Sequence, residues 1–198
     1  NYELGAKHPF LDNRLNAEFC FFWIDWKNQQ IYQMLATQNG QYLRNAGRSE
    51  SKGVEVSLQG NPVNGLMVQV NYGFTHATFK DYKDEGEEFP ADGPRHTFAV
   101  GADYTIPNPC RHIDRFTVSA NYTGTGRILW KEDNKVSQPY YGLLNAKVSA
   151  TKDFITFAIW AKNMTGADYS AFYFETGGKG LAQKGRPFTI GGNIQLSF

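Results

Sequence analysis

The chain has 198 residues, with 20 Lys plus Arg against 19 Asp plus Glu for a net charge of +1, and these charges are scattered along its length. Without a basic block, nucleic acid is excluded as a partner of the usual electrostatic kind. A mean hydropathy of -0.50 and the absence of any run near the roughly 20 apolar residues of a spanning helix exclude a helical anchor. The 15 Phe, 11 Tyr, 4 Trp and 20 Gly favour β structure instead.

In chain order, Asn1-Tyr2-Glu3-Leu4-Gly5-Ala6 already reads as strand, with no initiating Met or leader before it, so a piece of a longer chain is expected. A short turn at 8–13 leads to a strand whose apolar side holds Phe19, Phe21 and Trp23, and a long polar connection covers 27–41. Val54, Val56 and Leu58 then oppose Glu55, Ser57 and Gln59, and Pro62 is expected to make a tight turn within 61–65. Next, Leu66, Val68, Val70, Tyr72 and Phe74 alternate with Gln69, Asn71, Gly73 and Thr75, before a long connection at 82–94. Phe98, Val100, Ala102 and Tyr104 mark another strand, 107–114 a short turn, and Phe116, Val118, Ala120 and Tyr122 the strand after it. A long connection at 131–138, a short turn at 151–153 and a long connection at 165–184 follow. In the last segment Phe188, Ile190, Ile194, Leu196 and Phe198 face away from Thr189, Gly191, Asn193, Gln195 and Ser197, with Gly192 interrupting the apolar side.

This pattern predicts an all-β, antiparallel, up-and-down transmembrane β-barrel segment of about nine strands, with apolar residues toward lipid and polar residues toward the lumen. Short turns on one side and long loops on the other are the habit of outer-membrane barrels. The aromatics Phe19, Phe21, Trp23, Trp26, Tyr72, Phe74, Tyr104, Tyr122, Trp130 and Tyr141 fall near strand ends and are expected in the interfacial girdles. A soluble, carbohydrate-binding β-sandwich also alternates, but its strands usually run about five or six residues, and several here are far longer. A small self-contained porin-like barrel or adhesin is the other alternative.

Chemistry-bearing residues are sparse. Cys20 and Cys110 lie apart in a strand and a Pro-rich turn, and His8, His76, His96 and His112 are dispersed, so neither a disulfide framework nor a metal site is expected. There is no hydrolase, zincin or phosphate-loop motif, and Gly124-Thr125-Gly126 lacks the following helix such a loop needs, so no enzyme is expected. Asp81, Asp84, Glu85, Glu87, Glu88 and Asp92 crowd one connection, which reads as a solvated loop with enough oxygens to bind calcium or to bridge through divalent ions to lipopolysaccharide, but without the ordered spacing of a calcium loop.

Several motifs, in order and along the whole chain, resemble the barrel of TonB-dependent receptors. Asn1 to Lys7 resembles the family's "YE.G.K" strand, and Phe21-Phe22-Trp23-Ile24-Asp25-Trp26 its aromatic-rich "Y-I-D-W" strand. Asn45-Ala46-Gly47 followed by Glu50-Ser51-Lys52-Gly53-Val54-Glu55 is similar to its "NAG...S.G.E" signature. Pro62 with Gly65-Leu66, Asn163-Met164-Thr165 with Tyr169, and Gly185-Arg186-Pro187 before a terminal Phe complete the pattern.

The resemblance implies a C-terminal segment of a barrel of about 22 strands, with the N-terminal plug and the earlier strands outside this chain. Counted back from the end, the first strand then runs toward the periplasm, in keeping with the short turn after it. The implied function is TonB-energised uptake of ferric siderophores or similar scarce nutrients, with no cofactor. Implied partners are the TonB complex through the plug, an iron chelate, membrane lipid and lipopolysaccharide, and the barrel-assembly machinery. Leu196 and Phe198 resemble the C-terminal assembly signal, although Asn193 stands where its usual glycine would be. Candidate ligand contacts are Arg127 and Trp130 together, to pair with and stack on an anionic aromatic chelate, and Tyr173 and Phe174 in the last long loop. An isolated segment of this kind, with open edges, is expected to pair with another chain.

Overall fold

The computed structural model describes residues 1–28, 30–34, 41–45, 47–80, 93–130, 136–176 and 179–198, with the backbone alone for 31–34, 41–42 and 44. In chain order the strands are β1 (Tyr2–Phe10), β2 (Leu15–Lys27), β3 (Gln30–Met34), β4 (Gln41–Asn45), β5 (Arg48–Val63), β6 (Leu66–Phe79), β7 (His96–Cys110) and β8 (Ile113–Thr125). After these come β9 (Ile128–Leu129), β10 (Ser137–Gln138), β11 (Tyr141–Lys152), β12 (Ile155–Lys162), β13 (Ser170–Thr176), β14 (Lys179–Lys184) and β15 (Thr189–Leu196).

Nine of these strands form one sheet in the order β1-β2-β5-β6-β7-β8-β11-β12-β15, every pair antiparallel. The up-and-down meander expected from the alternation is thus present. Strands of 16, 14 and 15 residues in β5, β6 and β7 exceed the ~9–11 residues that cross a bilayer. Period-two alternation places whole rows on one face. Phe19 pairs with Val56, which pairs with Tyr72, which pairs with Phe98. One residue on, Glu18 pairs with Ser57, then Asn71, then Ala99 on the opposite face.

No second layer covers the apolar rows. Phe79, Leu129 and Ala158 are the buried apolar side chains among the described residues, whereas Ile159, Ile190 and Ile194 are about two-thirds exposed. A water-soluble sandwich would seal such rows inside, so that alternative is overturned. A barrel wall leaves them for hydrocarbon. Val148, on the outer face midway along the lower half of β11, is therefore a sensitive position: Val148→Arg is expected to cost about 2–4 kcal/mol, while Ser149→Arg on the inner face costs little. Guanidinium unfolding of the full-length receptor in lipid vesicles measures the difference.

The connections depart from the sequence reading in instructive ways. The turn between β1 and β2 passes through three consecutive left-handed residues, Leu11, Asp12 and Asn13 (φ 53°, 54° and 66°), closed by Arg14 N donating to Leu11 O at 3.1 Å. Pro62 does not make the next turn. It lies inside β5, where the register with β6 shifts between Gly60 and Val63, a place that tolerates a residue without an N–H. Cys110, likewise, ends β7 instead of sitting in a turn, after a similar shift between Pro107 and Cys110. At the turn from β11 to β12, Asp114 accepts from Lys152 Nζ and from the Asp153 backbone N–H, each at 2.7 Å.

The long connections carry strands of their own. β3 pairs with β4, β9 with β10 and β13 with β14 as separate two-stranded ribbons. A chain leaving the main sheet still has amide groups to satisfy, and pairing with itself does so. The acidic stretch 81–92 lies outside the described residues. Of the expected girdle aromatics, Trp26, Trp130 and Tyr141 are elsewhere. Trp26 lines a hollow on the inner side, Trp130 packs on β13, and Tyr141 stacks on Tyr169.

Candidate ligand-binding site

The loop side of the sheet is organised from the end of β12. Asn163 is 3% exposed and adopts φ 50°, a left-handed conformation that asparagine tolerates better than most residues. Its Nδ2 donates to Ala167 O and to Arg186 O, both at 2.9 Å, and its Oδ1 accepts from Ala167 N at 2.9 Å. Its backbone N–H donates to Asn145 Oδ1 at 3.0 Å, and Asn145 Nδ2 donates on to Asn121 Oδ1 at 2.8 Å. One residue, through its side chain and its backbone N–H, therefore ties the outgoing chain, the returning chain and the neighbouring β11 together. Thr165 Oγ1 donates to Gly142 O at 2.7 Å and fixes the next residues to β11.

A second clamp closes the base of the loop. Tyr169 lies flat on Tyr141, with centroids 4.3 Å apart and planes at 11°. Gly185 passes over the Tyr169 ring so closely that a Cβ there would come within 2.1 Å of it, so glycine is required for the chain to pass. The ribbon of β13 and β14 rises from this base. It is held to β10 by Ser170 N, which donates to Gln138 Oε1 at 2.8 Å.

The two faces of the ribbon differ in role. Phe172 and Phe174 share one face, stacked at 6.0 Å, and are 52% and 45% exposed. Trp130 stands edge-on to Phe172 at 6.5 Å and 77°, and Leu181 sits opposite Phe174 in the register. On the other face Tyr173 donates to Glu175 Oε1 at 2.7 Å, and its ring covers Gly180. The aromatic patch thus contains Trp130 and Phe174 from the sequence reading. Tyr173 braces the ribbon, and Phe172, which joins the other two rings, had no signal of its own beyond alternation with Tyr173.

Arg127 is placed apart from that patch. It lines a hollow of about 440 Å³ on the inner side with Phe22, Ile24, Trp26, Thr75 and Ala77. Below it a larger groove of about 730 Å³ follows the inner face past Glu55, Asn71 and Thr123, with Lys7 and Glu18 paired beside it. Among the described residues no three His, Cys, Asp or Glu side chains converge. The arrangement is an aromatic platform and a cation-bearing mouth above a conduit, suited to non-covalent capture of a flat or anionic solute.

A sequence model of the family described as TonB dependent receptor-like, beta-barrel matches residues 1–164. The chain belongs to that family. The ferripyoverdine receptor of Pseudomonas aeruginosa is 26% identical over 132 residues, which is 64% of this chain and 15% of that protein. The ferric-pyoverdine 358 receptor of Pseudomonas putida is 31% identical over 110 residues, covering 54% and 13%. This segment therefore spans only about a seventh of the curated relatives it matches.

Solved structures agree on the TonB-dependent receptor fold. The ferric yersiniabactin uptake receptor of Yersinia pestis superposes with a TM-score of 0.85 at 20% identity, covering all of this chain and 29% of the other. The ferripyoverdine receptor of the outer membrane of P. aeruginosa gives 0.73 at 18%, covering 100% and 27%. The nine-stranded sheet is thus a segment of an outer-membrane β-barrel, and its bare apolar face meets lipid.

Proposed function

We propose that this segment is the C-terminal part of a TonB-dependent receptor that captures ferric siderophores, or similarly scarce nutrients, and passes them through the lumen when the TonB complex pulls on a plug outside these residues. Its work is capture and passage, without covalent chemistry. The carrying observation is the patch in which Trp130 packs on Phe172, which stacks with Phe174 on a ribbon that Asn163 anchors, with Arg127 lining a hollow apart from it. Aromatic rings and a guanidinium are the groups that hold anionic aromatic chelates. The relatives named for ferric siderophores add to that reading. Leu196, paired with Ile155 on the lipid face, and Phe198, stacked on Phe154 at 5.8 Å, serve as the terminal signal for the assembly machinery.

Binding of ferripyoverdine, ferric yersiniabactin and a ferric catecholate to the full-length receptor tests the proposal. Phe172→Ala is expected to raise Kd by about thirty-fold for the chelate that binds, as loss of a central aromatic contact does. Arg127→Gln is expected to raise it about ten-fold. Failure of every ferric chelate to bind, or unchanged affinity in both variants of a folded receptor, contradicts it.

A further inference from the structure

The inner face of the sheet changes character from one end to the other. On β1, β2 and β5 its charges are mixed, with Lys7 paired to Glu18 and Glu55 in the same groove. On β8, β11, β12 and β15 the inward residues, every second one along each strand, include Arg115, Lys147 and Lys162 but no Asp or Glu. In the row of Lys147 the next carboxylate is Asp103, two strands away across Ser119, or about 10 Å at ~4.8 Å per strand. Both lysines are exposed, and among the described residues neither forms an ion pair.

An indole lies between them. Lys147, Trp160 and Gly191 are successive partners across β11, β12 and β15. A Cβ at Gly191 would come within 2.4 Å of the Trp160 ring, so glycine leaves the space in which that ring crosses toward β15. Lys162 holds its ammonium over the same ring, 5.1 Å from the centroid. The wall therefore presents a half-buried aromatic surface with one cation over it and a second on the neighbouring strand.

We propose that Lys147, Trp160 and Lys162 form a second, weaker site for an anionic aromatic chelate on the lumen wall, where the solute pauses during passage. Lys147 stands six residues along β11 from Tyr141, about 20 Å from the clamp at the loop base. The lysines attract the charge and the indole offers a flat contact. Such a site must hold loosely, because a step that binds tightly does not release. The proposal rests on the passage of an anionic chelate given under the proposed function. Its test uses neither a siderophore nor the aromatic patch, so the two fail separately.

Modification of lysines in the full-length receptor by a water-soluble acylating reagent, read by peptide mass spectrometry, tests the site. The probe is the ferric complex of catechol disulfonate, a polyanion with flat rings. At about 4 mM probe, a site of roughly millimolar Kd slows modification of Lys147 and Lys162 about five-fold, while Lys7 is unaffected. Trp160→Leu is expected to reduce that protection to less than about two-fold, and a neutral ferric trihydroxamate gives none. Equal rates with and without the polyanion, equal protection of Lys7, equal protection by the neutral chelate, or protection that Trp160→Leu leaves intact would each overturn the proposal. Lysines that never react would overturn it as well, since they would then lie beneath the plug.

Discussion

Replacing Asn163 by alanine destabilises the barrel by about 3 kcal/mol or more and loosens the loop that carries the aromatic patch. The alanine removes a donor from two carbonyls, Ala167 O and Arg186 O, and an acceptor from Ala167 N. Each buried group left without its partner costs about 1–3 kcal/mol. The backbone adds to this, because φ 50° costs an alanine roughly 1–2 kcal/mol. Asn163→Gly removes the backbone strain alone, so it recovers only that part. Asn163→Asp fares no better than alanine, since a carboxylate oxygen would face the carbonyls that now receive Nδ2. The midpoint of heat-induced gel migration of the full-length receptor ranks the three, and chelate affinity falls with it if the ribbon is the platform.

Gly53→Val has a still larger effect, and correctly assembled receptor is lost. At Gly53 an added Cβ would come within 2.2 Å of the Phe74 backbone oxygen and 2.4 Å of the Phe22 ring. The ring could rotate away, but the carbonyl belongs to the pairing between β5 and β6 and cannot yield without breaking the sheet. Phe22 lies across the inner face at this point, filling the space that the missing side chain leaves. A rescue separates the two contacts: Phe22→Ala in the Gly53→Ala background recovers part of the assembled fraction by removing the ring clash. The backbone contact keeps recovery incomplete. Full assembly of Gly53→Val would show that the sheet adopts another path here.

Both positions belong to motifs readable in the sequence, although their reasons were not. The long alternating runs through Leu66 and Phe98 fixed their strands because period two survives in any half-lipid, half-water wall. Leu11 gave no sign of its left-handed turn, since no glycine marks it. Pro62 looked like a turn because proline usually is one, and the neighbouring register shift that accommodates it is a property of two strands together. The same holds at the candidate site. Trp130 and Phe174 could be picked out as loop aromatics, but which rings meet depends on how the ribbon folds back on itself. That fold made Tyr173 a brace, added Phe172 to the patch and moved Arg127 into the hollow.

The claim that one face of this sheet meets hydrocarbon and the other meets water is tested most directly by nitroxide labels. They are placed one at a time at positions 143–150 of β11 in the cysteine-free full-length receptor in vesicles. Even positions are expected to collide with dissolved oxygen and odd ones with a water-soluble nickel chelate, in strict alternation. Even positions shielded from both reagents would place the Ala146 and Val148 row inside a protein core, and the barrel account would be contradicted.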